Sequence, residues 1–262
     1  MGKLHLVVVV MVLFGLHQPA TAKSLGNFKS YRQITDKEVL IESTKGAFIL
    51  VSAYNEYALG ISVVNEDKVL ELTAPNKINL KEELNGSIYV EELDDLMQIT
   101  TTINNGVAIK IEKNPLHFSY IDKSTRNTLF EELHSVKFKN KADDIAFSLS
   151  EDEEIKLVTN NRYETISTNL VSGDVFSFEK MNNLVFPNNE ICLVSSKGYA
   201  IIFDSEMPHE IDLSKPDQIK ISRTVNENKQ FNYMLVYGPR CPELIEKYAF
   251  HIAPNDKQIT LK

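Results

Sequence analysis

The segment Ile191-Cys192-Leu193-Val194-Ser195-Ser196-Lys197-Gly198-Tyr199-Ala200-Ile201-Ile202-Phe203-Asp204 places two short apolar runs on either side of a Ser-Ser-Lys-Gly turn. Two such runs around a glycine-containing turn predict a β-hairpin. Downstream, Phe231 to Tyr237 reads as another strand, stopped by Gly238-Pro239. Leu244, Ile245, Tyr248 and Ala249 then recur at helical spacing, and Pro242 suits the first turn of a helix over 243–250.

Working outward, residues 38–64 hold three segments with alternating apolar positions: Glu38 to Ser43, Ala47 to Ala53 and Ala58 to Val64. Period-two alternation predicts strands with one buried face. Ser87 to Leu93, Met97 to Ile103, Val107 to Lys113 and Leu116 to Ile121 continue the series, with Asn104-Asn105-Gly106 as a hairpin turn. Thr128 to Leu133, Val136 to Lys139 and Ile145 to Leu149 read as separate strands, and Glu151 to Glu154 as a turn. Tyr163 to Lys180 is polar and turn-rich, and reads as a long loop. Leu70 to Thr73, Met207 to Leu213 and Gln218 to Val225 are further short strands. Many short strands and one helix predict an all-β fold, a large antiparallel β-sandwich with one short C-terminal helix.

Residues 1–22 stand apart. Lys3 precedes an apolar core from Val7 to Leu16, and Ala20-Thr21-Ala22 is a small-residue cleavage pattern. This predicts a secretory signal peptide and a secreted or periplasmic protein. The apolar core is shorter than the roughly twenty residues a membrane span needs. Residues 23–262 are then expected to form a single domain. Removing the signal takes away Lys3 and no acidic residue, so the net charge moves from −8 to −9. That sign argues against nucleic acid or an anionic membrane as partner.

Two cysteines, Cys192 and Cys241, allow either a disulfide or a buried thiol on the 191–194 strand. No CxxC or HxxxH spacing is present, so no metal is expected. No P-loop or dinucleotide glycine fingerprint is present, so no cofactor is expected.

The order of the C-terminal segments resembles the end of the N-terminal β-domain of glycoside hydrolase family 31, the α-glucosidase and α-xylosidase family. Ser196, Gly198, Tyr199, Phe203, Asp204, Gly238, Pro239, Ile245 and Tyr248 match that pattern. A second block, GVAIKIEKNPLHFSYID at 106–122, resembles a strand pair of the same domain. The resemblance spans roughly residues 34–252 and implies a galactose-mutarotase-type sandwich. In the family a catalytic barrel follows this domain and carries the catalytic acids. The resemblance therefore implies a carbohydrate-binding or accessory domain that is not catalytic by itself. Carbohydrate, a partner protein and the missing catalytic domain are the partners it implies. Family members carry an Asn-x-Asp sequence on a loop over the sugar pocket. Asn169 and Asp174 are its nearest equivalents here, at a different spacing, with Tyr163 nearby as a third sugar-contacting candidate. The glycine-rich motif at the lip of the family's active site is replaced by Ile155 to Arg162, without its glycines.

Two further readings stay open. A mutarotase-like epimerase would pair a histidine acid with a glutamate base; His134 with Glu131 or Glu132, and His209 with Glu210, have the right residue types. Otherwise the acidic pairs, including Glu131-Glu132 and Asp143-Asp144, read as solvated turns and strand edges. Tyr54, Tyr57, Tyr163 and Tyr199 serve either as a stacking platform for sugar or as core aromatics. The third reading is a structural or protein-interaction domain with a decayed sugar site.

Overall fold

The computed structural model describes residues 25–55, 57–65, 87–101, 106–138, 142–160, 165–171, 173, 175–177, 191–204, 209–224 and 230–238. These residues form 18 strands in two nine-stranded sheets. The all-β sandwich expected from the sequence is present. The helix expected over 243–250 and the segment 1–22 lie outside the described residues, as does Cys241.

The first sheet opens with β1 (Phe28–Thr35), β2 (Glu38–Ser43), β3 (Phe48–Asn55) and β4 (Ala58–Val64). The chain then crosses to the second sheet for β5 (Ile88–Glu92), β6 (Leu96–Thr101), β7 (Val107–Lys113), β8 (Leu116–Asp122), β9 (Thr128–Lys137) and β10 (Ala142–Ser148). It returns for β11 (Ile155–Asn160) and β12 (Thr165–Leu170), and visits the second sheet with β13 (Val175–Ser177). The hairpin β14 (Ile191–Ser195) and β15 (Tyr199–Asp204) joins the first sheet. β16 (His209–Asp212) and β17 (Gln218–Thr224) join the second, and β18 (Phe231–Tyr237) closes the first. The orders are β1-β2-β3-β4-β18-β15-β14-β11-β12 and β13-β16-β17-β10-β9-β8-β7-β6-β5.

Alternating residues of the two sheets meet in one core. Ile41, Ile49, Ile61, Tyr233, Leu235 and Ile201 come from the first sheet, and Ile109, Phe118, Tyr120, Phe130, Ile145 and Phe147 from the second. Aromatic rings hold its centre: Phe130 stacks on Tyr120 at 4.5 Å and on Tyr199 at 4.6 Å between centroids. The first sheet is also buried on its other face, where Tyr54, Val158, Cys192, Ala200, Ile202, Met234 and Val236 form a second apolar cluster. This explains why β4 is buried at every position, beyond its alternating apolar residues, and why β18 is a nearly continuous apolar run.

The hairpin turn has a definite cause. Gly198 adopts a φ of 83° and its N–H donates to Ser195 O at 3.1 Å, a conformation that glycine takes without steric cost.

Several local expectations are corrected. The stretch 163–180 is not simply a loop, since it contains β12 and β13. β12 is an edge strand with Asn169 exposed and Leu170 buried, so only a small apolar signal marks it. β1 is likewise an edge strand, largely exposed, and its polar sequence conceals it. β9 is one strand rather than two. Against β10, Glu132 aligns with Phe147, His134 with Ala146 and Lys137 with Asp144, so β9 carries an extra residue in each interval. These bulges break the period-two pattern that a sequence reading relies on.

Candidate functional site

The bulged part of β9 brings together the chemistry of the sandwich. Thr128, Phe130 and Glu132 follow one another on alternate positions. Phe130 lies in the aromatic core, and Glu132 is 3% exposed beneath it. β8 supplies Tyr120 and β18, in the opposite sheet, supplies Tyr233; both are 0% exposed. The Tyr233 hydroxyl donates to Glu132 Oε1 at 2.5 Å, and the Tyr120 and Tyr233 hydroxyls are hydrogen-bonded to each other. Glu132 Oε2 has no hydrogen-bond partner. The neighbouring Ser135 hydroxyl is directed to Leu116 O, at 3.0 Å. His117 Nε2 donates to the main-chain carbonyl of Glu132.

Burial pushes the Glu132 carboxyl up to about 7, against the opposing pull of the Tyr233, Ser135 and Tyr120 hydroxyls. Burial and the Glu132 charge also raise both tyrosines well above their ordinary value. Desolvation favours the uncharged form of each group. The result is a proton-holding cluster at the junction of the two sheets.

Two other polar ties join the sheets along β18. Arg223 of β17 donates to Asp143 Oδ2 of β10, from Nη2 at 3.0 Å and from Nε at 3.3 Å, and through Nη1 to Gln230 O just before β18. Its guanidinium lies over Phe231, 4.8 Å from the ring centroid. At the other end, Asp122 of β8 meets Tyr237 of β18. Burial would raise the Asp122 carboxyl, but hydrogen bonds from Thr125, Ser124 and Tyr237 hold it down at about 2. Burial, then the Asp122 carboxylate, push Tyr237 up to about 12.

A third cluster fastens the 150–154 turn to the β14–β15 hairpin. Glu153 Oε1 accepts from Ser195 Oγ at 2.6 Å and from the Tyr199 hydroxyl, and Lys197 Nζ lies 2.8 Å from Asp152.

The sequence candidates are only partly brought together. Asn169 lies exposed on β12, paired with Lys156 of β11. Tyr163 and Asp174 lie outside the described residues. Glu132 and His134 do not face one another: Glu132 points into the core, whereas His134 is half-buried opposite Ala146, its Nδ1 3.1 Å from Ser135 O. Glu210 is exposed on β16, and the His209 side chain is outside the described residues. Tyr54 and Tyr199 are core residues, 6% and 2% exposed, so neither offers a face to sugar. The acidic pairs also need correction, since Glu132, Asp143 and Asp144 are buried rather than solvated. Buried carboxyls require partners; Tyr233 serves Glu132, Arg223 serves Asp143, and Lys220 lies 4.0 Å from Asp144. Among the described residues no cluster of histidine, cysteine and carboxylate ligands could hold a metal.

The Glu132 cluster was not anticipated. Its sequence signal is a carboxylate two residues after Phe130, on the same inward face.

No family model matches the chain, and no curated protein matches it. Solved structures do. A dextranase of glycoside hydrolase family 31 from Flavobacterium johnsoniae, complexed with isomaltotriose, superposes with a TM-score of 0.67 at 18% identity. It covers 86% of this chain, which spans 28% of the dextranase. A family 31 α-xylosidase from a soil metagenome, complexed with xylose, gives 0.63 at 12% identity over 84% of this chain and 34% of its own. The cycloalternan-forming enzyme of Listeria monocytogenes, in complex with a pentasaccharide substrate, gives 0.61 at 15% identity over 82% and 21%. The chain thus has the fold of a β-sandwich portion of family 31 glycoside hydrolases and spans about a third of those enzymes or less.

Proposed function

We propose that this chain is a carbohydrate-associated β-sandwich, an accessory domain of family 31 type that binds α-linked sugar and does not cleave glycosides by itself. The observation that carries the reading is the coverage. The likeness runs through 82% to 86% of this chain but through only 21% to 34% of the enzymes. The shared part is therefore the sandwich, and the carboxylates buried in it are engaged by tyrosine, arginine and lysine rather than presented to a substrate. Export through the 1–22 segment would bring the domain to extracellular glycans in the periplasm or beyond. Asn169, exposed on β12, is proposed as one sugar-contacting residue, with Tyr163 and Asp174 as the other two.

Titration calorimetry with isomaltotriose, maltotriose and xylose tests the reading. The expected result is weak saturable binding to at least one α-linked oligosaccharide, reduced by Asn169→Ala. Silence across the panel would favour a structural or protein-interaction domain. Turnover of an α-glucoside or α-xyloside by the purified chain would overturn the non-catalytic part. Polarimetry of freshly dissolved glucose should show no acceleration, because Glu132 is walled off from solvent.

A further inference from the structure

The polar cluster between the sheets has an asymmetry that a purely structural contact does not require. Tyr120 and Glu132 belong to one sheet and Tyr233 to the other, so their hydrogen bonds cross the sandwich at its centre. One carboxylate oxygen accepts from Tyr233 while the other, Oε2, is buried without a partner. The groups placed around the carboxyl are uncharged hydroxyls: Tyr120 from β8, Tyr233 from β18 and Ser135 on β9 itself. Phe147 of β10 is its apolar cross-strand neighbour. His117 of β8 reaches only the main-chain carbonyl of Glu132, and His134 and Glu131 of β9 align with Ala146 and Ser119 on the neighbouring strands.

We propose that Glu132 is a proton-operated latch between the two sheets: protonated it lets them close, and ionised it places an uncompensated charge in their seam and loosens them. With the proton on Oε1, the carboxyl donates to Tyr233, which donates to Tyr120. With the proton lost, Tyr120 donates to Tyr233 and Tyr233 to the carboxylate. The hydroxyl chain accommodates both states, but only the first leaves the interior neutral. Desolvation makes the charged state costly, and burial accordingly moves the titration into the neutral range. A sandwich built this way tightens in acid and relaxes toward alkaline pH.

The test is infrared spectroscopy of the full chain from pH 5 to 9, alongside the same titration of Glu132→Gln. Wild type should show a protonated-carboxyl band at pH 6 that disappears above pH 8, and the variant should lack it. Amide protection factors in β9 and β18, taken relative to the intrinsic base-catalysed rate at each pH, should fall in wild type over the same interval and stay level in the variant. Histidines commonly titrate in this range, so the band identifies the group that a stability profile alone would not. Absence of the band at pH 6, or its persistence in Glu132→Gln, would overturn the proposal. If the variant fails to fold, Tyr233→Phe serves instead and should shift the wild-type band's disappearance to higher pH; an unchanged midpoint would count against the latch.

Discussion

Tyr233 and Glu132 sit in different sheets, and the hydroxyl of one meets the carboxyl of the other at 2.5 Å. The Tyr120 hydroxyl is hydrogen-bonded to that of Tyr233 and acts on the carboxyl more weakly than Tyr233 does. Tyr233→Phe takes the Tyr233 hydroxyl away from the buried carboxyl, whichever of the two carries the proton, which should cost about 1–3 kcal/mol. Tyr120→Phe removes a hydroxyl one step further away and should cost less, about 1 kcal/mol. Urea midpoints at pH 6 measure both. A larger loss in Tyr120→Phe would mean that Tyr120, not Tyr233, holds the carboxyl.

Two carboxyls give the stability profile two limbs of opposite sign. Asp122 has a folded value of about 2 against an ordinary 3.8, so its contribution is present above 3.8 and fades as pH falls through 2. After solvent screening this limb is worth about 1–2 kcal/mol. Glu132 has a folded value of about 7 against an ordinary 4.5, so its contribution is complete below 4.5 and fades as pH rises through 7. That limb is worth about 3 kcal/mol. Stability should therefore peak in mild acid, and Asp122→Asn should flatten the acid side alone. Thermal melting from pH 2 to 9 decides the matter; a maximum at neutral pH would contradict it.

Arg223 and Asp143 are 7% and 2% exposed, so their ion pair is screened little by water. Arg223→Met removes the cation that faces buried Asp143, with an expected loss of about 3–5 kcal/mol. Replacing both, as Arg223→Met with Asp143→Leu, should recover most of it, since an apolar pair needs no compensation. Recovery should be incomplete because the Arg223 hydrogen bond to Gln230 O is also lost. A double-mutant cycle in denaturant reads the coupling. If the double variant is no more stable than Arg223→Met alone, the penalty does not come from the lost Arg223–Asp143 pairing.

The interior strands were legible because their residues report burial directly. Ala58–Val64 and Val107–Lys113 have the bounds read from their apolar pattern. The edges were not. Lys29, Arg32 and Gln33 on β1, and Thr165 and Ser167 on β12, lie in strands that make few demands on hydrophobicity. Bulged β9 was split for a related reason, since an extra residue moves later side chains to the opposite face. The Glu132 cluster was hidden more deeply. Its members, at 120, 132 and 233, are far apart in the chain, and only the meeting of two sheets makes them neighbours.

Two glycines after strand ends separate backbone strain from steric exclusion. Gly198 has φ 83° and open space where a Cβ would stand. Gly238 has φ 114°, and a Cβ there would lie 2.9 Å from Cδ1 of Tyr57. The two are tied, since Gly238 N–H donates to Gly198 O at 3.3 Å, and Tyr57 is held in place as Tyr237 N–H donates to its carbonyl at 2.9 Å. Gly198→Ala should therefore cost about 1 kcal/mol for its backbone alone. Gly238→Ala should add about 1–3 kcal/mol for crowding the Tyr57 ring. The crowding can be removed without touching the backbone: in a Tyr57→Ala background the extra cost of Gly238→Ala should shrink toward that of Gly198→Ala. Chemical denaturation of the four variants measures the difference. An undiminished penalty in that background would place the whole cost in the backbone and remove Tyr57 from the account.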